Sequence, residues 1–342
     1  MNKALRKILL PFSLIYLLIT AIRNILYNKG LFKSYSFSLP VIVIGNLSTG
    51  GTGKSPMTEY LIRLLKDKYK LATLSRGYKR KTKGFVLADN KATALTMGDE
   101  PYQFYTKFSD ITVAVDADRV NGVNRLLELN EKPDVIVLDD AYQHRRLKAG
   151  FYILLTAYSD LYADDYLLPA GNLRERRAGA KRADVIVVTK CPSALTLQEQ
   201  EAVIKKLKPL KAQQVFFTSI GYDDHVYSET GKIAVTEVKQ QQNILVAGIA
   251  KPKPFFDYVM GSDDIIKPYP DHHDFTEREI AELTALAESR IIITTEKDYM
   301  RLKGRIPAGK LHYLPIKTVF LNNGGQFDKT ILDYVGKSTA NG

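Results

Sequence analysis

The chain has 342 residues and is 45% hydrophobic, enough for one large or two medium cores, and no repeat or long low-complexity tract points to a repetitive or disordered protein. Its 49 Lys and Arg against 37 Asp and Glu give a formal charge of +12, which favours phosphates, nucleic acid or anionic lipid headgroups without choosing among them. The single cysteine, Cys191, excludes an internal disulfide, and no Cys/His cluster has zinc-site spacing, so the body of the protein reads as cytoplasmic.

Residues 8–22 are almost wholly apolar, broken only by Pro11, Ser13 and Thr20 and bracketed by Lys3, Arg6, Lys7 and Arg23. A helix of about fifteen residues reaches roughly 22 Å, short of the roughly 30 Å hydrocarbon core of a bilayer. The segment is therefore expected to embed at one membrane face, with a full span or a buried core helix as alternatives. A signal peptide is disfavoured, because Thr20-Ala21-Ile22-Arg23 offers no small-x-small cleavage site.

Downstream, β-branched runs over residues 40–44, 70–74, 112–115, 134–138, 152–155 and 184–188 alternate with helical patterns over 56–66, 119–130 and 197–207. That alternation predicts an α/β fold with a doubly wound parallel sheet. From 221 to 240 the pattern changes to short polar strands around Glu229-Thr230-Gly231-Lys232 and reads as a hairpin linker. Strands over 243–250, 265–269, 291–295 and 311–321 and a helix over 276–289 follow, as expected of a smaller α/β domain. The expected organisation is an N-terminal membrane-associating helix (1–30), a P-loop domain (31–220), the linker (221–240) and the smaller domain (241–342).

The first apolar strand runs through Val41-Ile42-Val43-Ile44-Gly45-Asn46 into Leu47-Ser48-Thr49-Gly50-Gly51-Thr52-Gly53-Lys54-Ser55. A buried strand, a glycine-rich loop and a helix in succession are the context a P-loop NTPase-like site requires. Main-chain N–H groups from Thr49 to Gly53 are placed to face phosphate oxygens, Lys54 to reach the β- and γ-phosphates, and Ser55 to ligate Mg²⁺. Ser48 stands where the strict pattern has its first glycine. The metal half of such a site is an acidic residue at the end of a neighbouring strand, and Asp134-Val135-Ile136-Val137-Leu138-Asp139-Asp140 supplies two, Asp139 and Asp140. Thr189-Lys190-Cys191-Pro192 is at most a hint of a purine contact, and Lys79-Arg80-Lys81-Thr82-Lys83 reads as a solvated basic loop that could also cover nucleotide or meet anionic headgroups.

Together the P-loop and Leu138-Asp139-Asp140-Ala141-Tyr142-Gln143-His144-Arg145 resemble the tetraacyldisaccharide 4'-kinase (lipid A 4'-kinase) family. Further matches, in order, are Leu74-Ser75-Arg76-Gly77-Tyr78, Gly98-Asp99-Glu100-Pro101, Asp116-Ala117-Asp118-Arg119, Leu168-Pro169-Ala170-Gly171-Asn172-Leu173-Arg174-Glu175, Asp271-His272-His273-Asp274-Phe275 and Thr294-Thr295-Glu296-Lys297-Asp298. Departures are mild: Ser55 where Thr is usual, Ala141-Tyr142 where Gly-Phe is usual, and Asn172 and Arg176 where Pro is commoner.

The resemblance implies transfer of the ATP γ-phosphoryl group, with Mg²⁺, to the 4'-hydroxyl of a tetraacylated glucosamine disaccharide 1-phosphate. The implied place is the cytoplasmic face of a Gram-negative inner membrane. The implied partners are the acylated disaccharide lipid and the membrane surface, with no nucleic acid and no obligate protein partner. A sugar hydroxyl is a weak nucleophile, so a base must reach it. Asp99 matches the family's base, with His272 as the group that orients it or helps remove the proton, and domain closure is expected to bring the two together. Arg174 is expected to stabilise charge on the transferring phosphoryl group, and His144 to sit near the metal or γ-phosphate. Glu100 is read as tuning Asp99 or holding a water, and Arg119 as a substrate or phosphate contact, with structural ion pairs as the alternative for both. Two rival functions follow from the same residues. One is a switch-type ATPase or GTPase with no acceptor; the other is a basic nucleic-acid binder, which the sparse aromatic residues among the basic runs disfavour. Replacing His272 with Ala is expected to lower turnover with an acylated acceptor by about 10²-fold, the usual scale for a group assisting proton transfer. Unchanged turnover would remove His272 from the mechanism.

Overall fold

In the computed structural model, which describes residues 6–271 and 273–340, the chain divides into two units, Met1–Ser219 with Thr318–Gly342 and Ile220–Lys317. Strands of the first unit are β1 (Val41–Asn46), β2 (Leu71–Ser75), β3 (Val86–Leu87), β4 (Thr112–Val115), β5 (Val135–Asp139), β6 (Phe151–Ala157), β7 (Val185–Thr189) and β8 (Gln214–Tyr222). The second unit holds β9 (His225–Tyr227), β10 (Lys232–Ala234), β11 (Ile244–Ala247), β12 (Ile265–Pro268), β13 (Ile292–Thr295) and β14 (Leu311–Leu314), and β15 (Ile316–Phe320) returns to the first.

Nine strands make the first sheet, in the order β15-β8-β7-β6-β1-β5-β2-β4-β3. The pairs from β8 through β4 are parallel, and β3 adds antiparallel to β4. Every residue of β1, β2, β5 and β7 is buried, as expected of strands covered on both faces. The two faces feed different cores: Val41, Val43, Ile136 and Leu138 pack on one side, Ile42, Ile44, Val135 and Val137 on the other. The chain moves to one side of β1 for β5, β2 and β4 and to the other for β6, β7 and β8. The reversal falls at β1, and ligands of open α/β sheets sit outside the strand ends at such a point.

The helices are α1 (Leu10–Asn28), α2 (Lys54–Leu65), α3 (Ala94–Met97), α4 (Asp99–Lys107), α5 (Arg119–Leu127) and α6 (Leu197–Leu207) in the first part of the chain. Then come α7 (Val235–Val238), α8 (Lys253–Val259), α9 (Glu277–Leu286) and α10 (Glu296–Leu302), and finally α11 (Gly324–Ala340). Two of the recognised motifs serve local structure. Asp118 caps α5 by accepting from Val120 N and Asn121 N, and Thr295 caps α10 while its hydroxyl donates to buried Asp298 at 2.7 Å.

At 19 residues, α1 is longer than the apolar segment suggested, and by length and composition it is sufficient to cross a membrane. Its polarity is inside out. Ser13 and Thr20 are buried, whereas Phe12, Leu14, Ile15, Leu18 and Ile19 are each about 60% exposed. An apolar surface of this extent on one helix marks an interaction site, and its composition suits a membrane. The buried-core alternative is excluded.

Three expectations are corrected. Residues 221–240 are not a linker: β9 and β10 pair antiparallel, and β9 joins β14 in a six-stranded sheet of order β10-β9-β14-β13-β11-β12. The single strand expected over 311–321 breaks at Pro315, which has no N–H for a ladder, and its halves enter different sheets. The C-terminal boundary of the smaller domain lies at Lys317 and not at residue 342. Helix α11 buries Phe327, Ile331 and Val335, spaced four apart, against the first sheet, and Tyr60 OH donates to Asp328 at 2.7 Å. Phe327→Ala should therefore destabilise the first unit by about 3–5 kcal/mol. Denaturant unfolding measures this, and a change below about 1 kcal/mol would mean that α11 is dispensable to that core.

Candidate active site

Strand β1 ends at Asn46, which is fully buried and organises the loop after it: its Nδ2 donates to Thr52 Oγ1 at 2.8 Å. Gly53 caps α2 with φ of +83°, a left-handed conformation that glycine adopts at little cost. At Gly45 a Cβ would lie 2.6 Å from Tyr142 Cβ, so strand β1 can pass the loop after β5 only without a side chain there. The loop is braced from two directions. On one, the Thr189 hydroxyl donates to Thr52 O at 2.8 Å and Lys190 Nζ to Gly51 O at 2.5 Å. The Thr189-Lys190 pair thus supports the phosphate loop, and the purine contact hinted at for it has no geometric support of its own. On the other, Thr49 N donates to Asn172 O and Arg174 N to Leu47 O, both at 2.7 Å, with Ser48 bridged to Leu173. Residues 172–174 form a strap along the loop.

This strap delivers the Arg174 guanidinium to the carboxylates. Its Nη2 and Nη1 donate to Asp140 at 3.0 and 3.4 Å, and Nη2 also donates to Asn46 Oδ1. Lys54 Nζ lies 3.8 Å from the same Asp140 oxygen. Asp140 takes φ of +47°, just past the end of β5, which turns its carboxylate toward both cations. Burial opposes ionisation of Asp140, but Lys54 and Arg174 outweigh it and hold its carboxyl below the usual range.

Asp139, opposite Ile44 of β1 in the ladder, is almost completely buried and accepts from Thr58 Oγ1 at 3.3 Å. Burial and then the negative charge of Glu100 push its pKa up to about 7, against the pull of Lys54. Such a carboxylate is short of positive charge. Glu100 is a residue the sequence reading did not place at the metal. It lies in the first turn of α4, and the Ser55 hydroxyl donates to its Oε1 at 3.5 Å. The acidic pair at the head of a helix was the available signal, but in the sequence Glu100 reads only as tuning Asp99, holding a water or making an ion pair. Ser55, Asp139 and Glu100 offer hard oxygen donors of the kind Mg²⁺ takes. Asp99 sits in the same turn of α4, exposed.

Arg119 is buried, and burial and the neighbouring Arg76 bring its pKa down to about 10. His144 is brought down to about 4 by burial and by Arg119, so it is neutral at pH 7, and its strongest electrostatic neighbours are Arg119 and Asp118. Arg119 Nε, His144 Nε2 and Arg174 Nε are buried without a hydrogen-bond partner, as expected of groups awaiting an anionic or polar ligand. His272 lies outside the described residues. A separate cavity of about 470 Å³, lined by Tyr158, Asp165, Asn172 and Lys206 among others, includes none of Lys54, Ser55, Asp139 or Asp140, so the assignment rests on the charged cluster.

The raised pKa of Asp139 has a sign. Folding tightens its hold on a proton, so the ligand-free protein loses stability as pH rises from the ordinary carboxyl value of 3.8 through about 7. Asp139→Asn removes this titration. Calorimetry of the ligand-free protein should show the variant gaining stability over the parent between pH 4 and pH 8, and a difference that does not change with pH would refute the burial argument.

Comparison with known proteins agrees with this geometry. The family model described as Tetraacyldisaccharide-1-P 4'-kinase matches residues 5–336. A tetraacyldisaccharide 4'-kinase of Flavobacterium johnsoniae is 57% identical over 331 residues, 97% of each chain, and one of Flavobacterium psychrophilum is 54% identical over 99% of each. The crystal structure of LpxK from Aquifex aeolicus in complex with ATP superimposes with a TM-score of 0.76 at 32% identity, covering 97% of this chain and 99% of that one. With its phosphate loop, strand-end carboxylates and nearly whole length accounted for, the chain belongs to the tetraacyldisaccharide-1-P 4'-kinase family.

Proposed function

We propose that this chain transfers the γ-phosphoryl group of ATP to the 4'-hydroxyl of the tetraacylated disaccharide 1-phosphate precursor of lipid A, working from the cytoplasmic face of the inner membrane. Family membership supports the reaction and the nucleotide. The observation that carries the mechanism is the cluster of Lys54 and Arg174 around Asp140 at the mouth of the phosphate loop.

Phosphoryl transfer is governed by positioning and by neutralising negative charge on the moving group. Lys54 and Arg174 supply two fixed cations for that charge, and Asp140 keeps both in place before substrate arrives. Ser55, Asp139 and Glu100 are assigned to hold Mg²⁺, which would supply positive charge to offset that of the phosphates. Asp99 is assigned the proton of the 4'-hydroxyl as the oxygen attacks phosphorus, with His272 as its partner. Arg119 and the neutral His144 are assigned to polar or anionic groups of the substrates. The exposed apolar side chains of α1 support a seat in the membrane, where the acylated substrate is dissolved. No nucleic acid and no obligate protein partner enters this reading.

Transfer from γ-labelled ATP to a purified tetraacyl disaccharide 1-phosphate in mixed micelles with Mg²⁺ tests it. Label should appear in the lipid, and Lys54→Ala and Asp99→Ala should each lower the rate by at least about 10²-fold. Free phosphate without labelled lipid would favour the switch-type ATPase.

A further inference from the structure

Helix α1 touches the catalytic strap with a polar stripe. Ser13, Tyr16, Thr20 and Asn24 recur at spacings of three, four and four, which places them along one side of a helix. Thr20 is spent on its own helix, donating to Tyr16 O at 2.8 Å. The other three, with Arg6 just before the helix, bond to the segment that carries Arg174. Arg6 donates to Pro169 O and Asn172 Oδ1, the Ser13 hydroxyl donates to Leu167 O at 3.1 Å and accepts from Ala170 N at 3.1 Å, and Asn24 Nδ2 donates to Glu175 Oε2 at 3.1 Å. At the centre of this row the Tyr16 hydroxyl donates to the main-chain carbonyl of Arg174 at 2.9 Å.

On its opposite side the strap is paired with the phosphate loop, through Arg174 N to Leu47 O. The backbone of Arg174 is therefore fixed at both of its polar groups, the N–H by the loop and the carbonyl by α1, while its side chain meets Asp140 and Asn46. A second connection runs from Asn24 to Glu175. Glu175 is buried and also accepts from Arg182 at 2.7 Å and from Gln143 Nε2 at 3.1 Å, and Gln143 Nε2 in turn donates to Asn46 O at 2.8 Å. A helix whose outward face is apolar thus ends, on its inward face, in the hydrogen bonds that set the catalytic arginine.

We propose that Tyr16 is a positioning residue for phosphoryl transfer, its hydroxyl holding the Arg174 backbone so that the guanidinium meets the transferring group. The proposal rests on the assignment of Arg174 in the proposed function. Hydrogen bonding of this kind does not change what binds; it narrows the arginine's geometry in the transition state, so the loss belongs in kcat.

The test is Tyr16→Phe in the full-chain enzyme, which keeps the ring and removes only the hydroxyl, assayed by lipid phosphorylation in mixed micelles. One neutral hydrogen bond corresponds to a fall in kcat of about five- to tenfold. KM for ATP and for the acylated disaccharide should stay within about twofold, and melting temperature and micelle partitioning should be unchanged. Because Tyr16 acts through Arg174, Tyr16→Phe should add no loss in an Arg174→Ala background. Thr20→Val, which removes a hydroxyl bonded only within α1, should leave kcat as in the parent. Parental kcat in Tyr16→Phe, a loss that appears only in KM for the lipid, an additive double variant, or an equal fall in Thr20→Val would each overturn the proposal. The two levels fail differently. Parental kcat in Arg174→Ala defeats the assignment of Arg174 and the positioning with it, whereas a slow Arg174→Ala beside a parental Tyr16→Phe defeats the positioning alone.

Discussion

Asp140 accepts from one cation and faces another, and the site takes its form from that charge balance. Lys54 comes from the helix after β1, Arg174 from a strap more than a hundred residues later, and Asp140 from the end of β5. Without the carboxylate, two positive groups would sit beside each other with only partial screening by solvent. With it, both cations are held beside one carboxylate at the end of β5. Asp139, one residue earlier, is left with the opposite problem. It is buried near Glu100, and Lys54 and the Thr58 hydrogen bond only partly offset this, so its pKa is pushed up to about 7. One strand end thereby presents a satisfied carboxylate that organises cations and an unsatisfied one suited to receive a metal.

The same cluster explains why so much of the chain converges on the phosphate loop. Asn46 bonds the loop, the Arg174 side chain and, through its carbonyl, Gln143. Thr189 and Lys190 support the loop from β7, and the strap supports it from the other side. Glycine at 45 lets Tyr142 approach the strand, and the Tyr142 hydroxyl donates to Gly179 O at 2.9 Å, tying the loop after β5 to the segment after the strap. A flexible phosphate loop is usually rigidified by its ligand; here main-chain pairing does part of that work in the ligand-free protein.

Helix α1 joins two environments with opposite requirements. Its apolar residues would be unfavourable in water over so large a surface, and its polar stripe would be unfavourable in hydrocarbon. Docking the stripe on residues 167–175 and leaving the apolar side outward satisfies both, so the helix that presents an apolar face outward also braces the strap that carries Arg174.

Local chemistry was legible wherever the residues that act are neighbours in the chain. Apolar, β-branched runs marked the parallel strands, Gly51-Thr52-Gly53-Lys54-Ser55 marked the loop-to-helix turn, and Leu138-Asp139-Asp140 marked a strand ending in carboxylates, because backbone conformation and burial follow from near neighbours. The sequence also carried the family resemblance. What it did not carry was partnership across the fold. Nothing local distinguishes Asp139 from Asp140, yet burial and Glu100 raise Asp139 to about 7, whereas Lys54 and Arg174 outweigh burial at Asp140 and hold it below the carboxyl range. Glu100 read as tuning Asp99, holding a water or making an ion pair until α4 aimed it at Ser55, and the amphipathic repeat of Phe327, Ile331 and Val335 carried no fold signal until it filled the first core. Tyr16 passed as part of the apolar segment and Asn24 lay beyond its end, and only tertiary packing made them contacts of the arginine strap. Charge, hydrogen bonding and burial between residues far apart in the chain depend on distances that folding alone sets, and those distances decided the site.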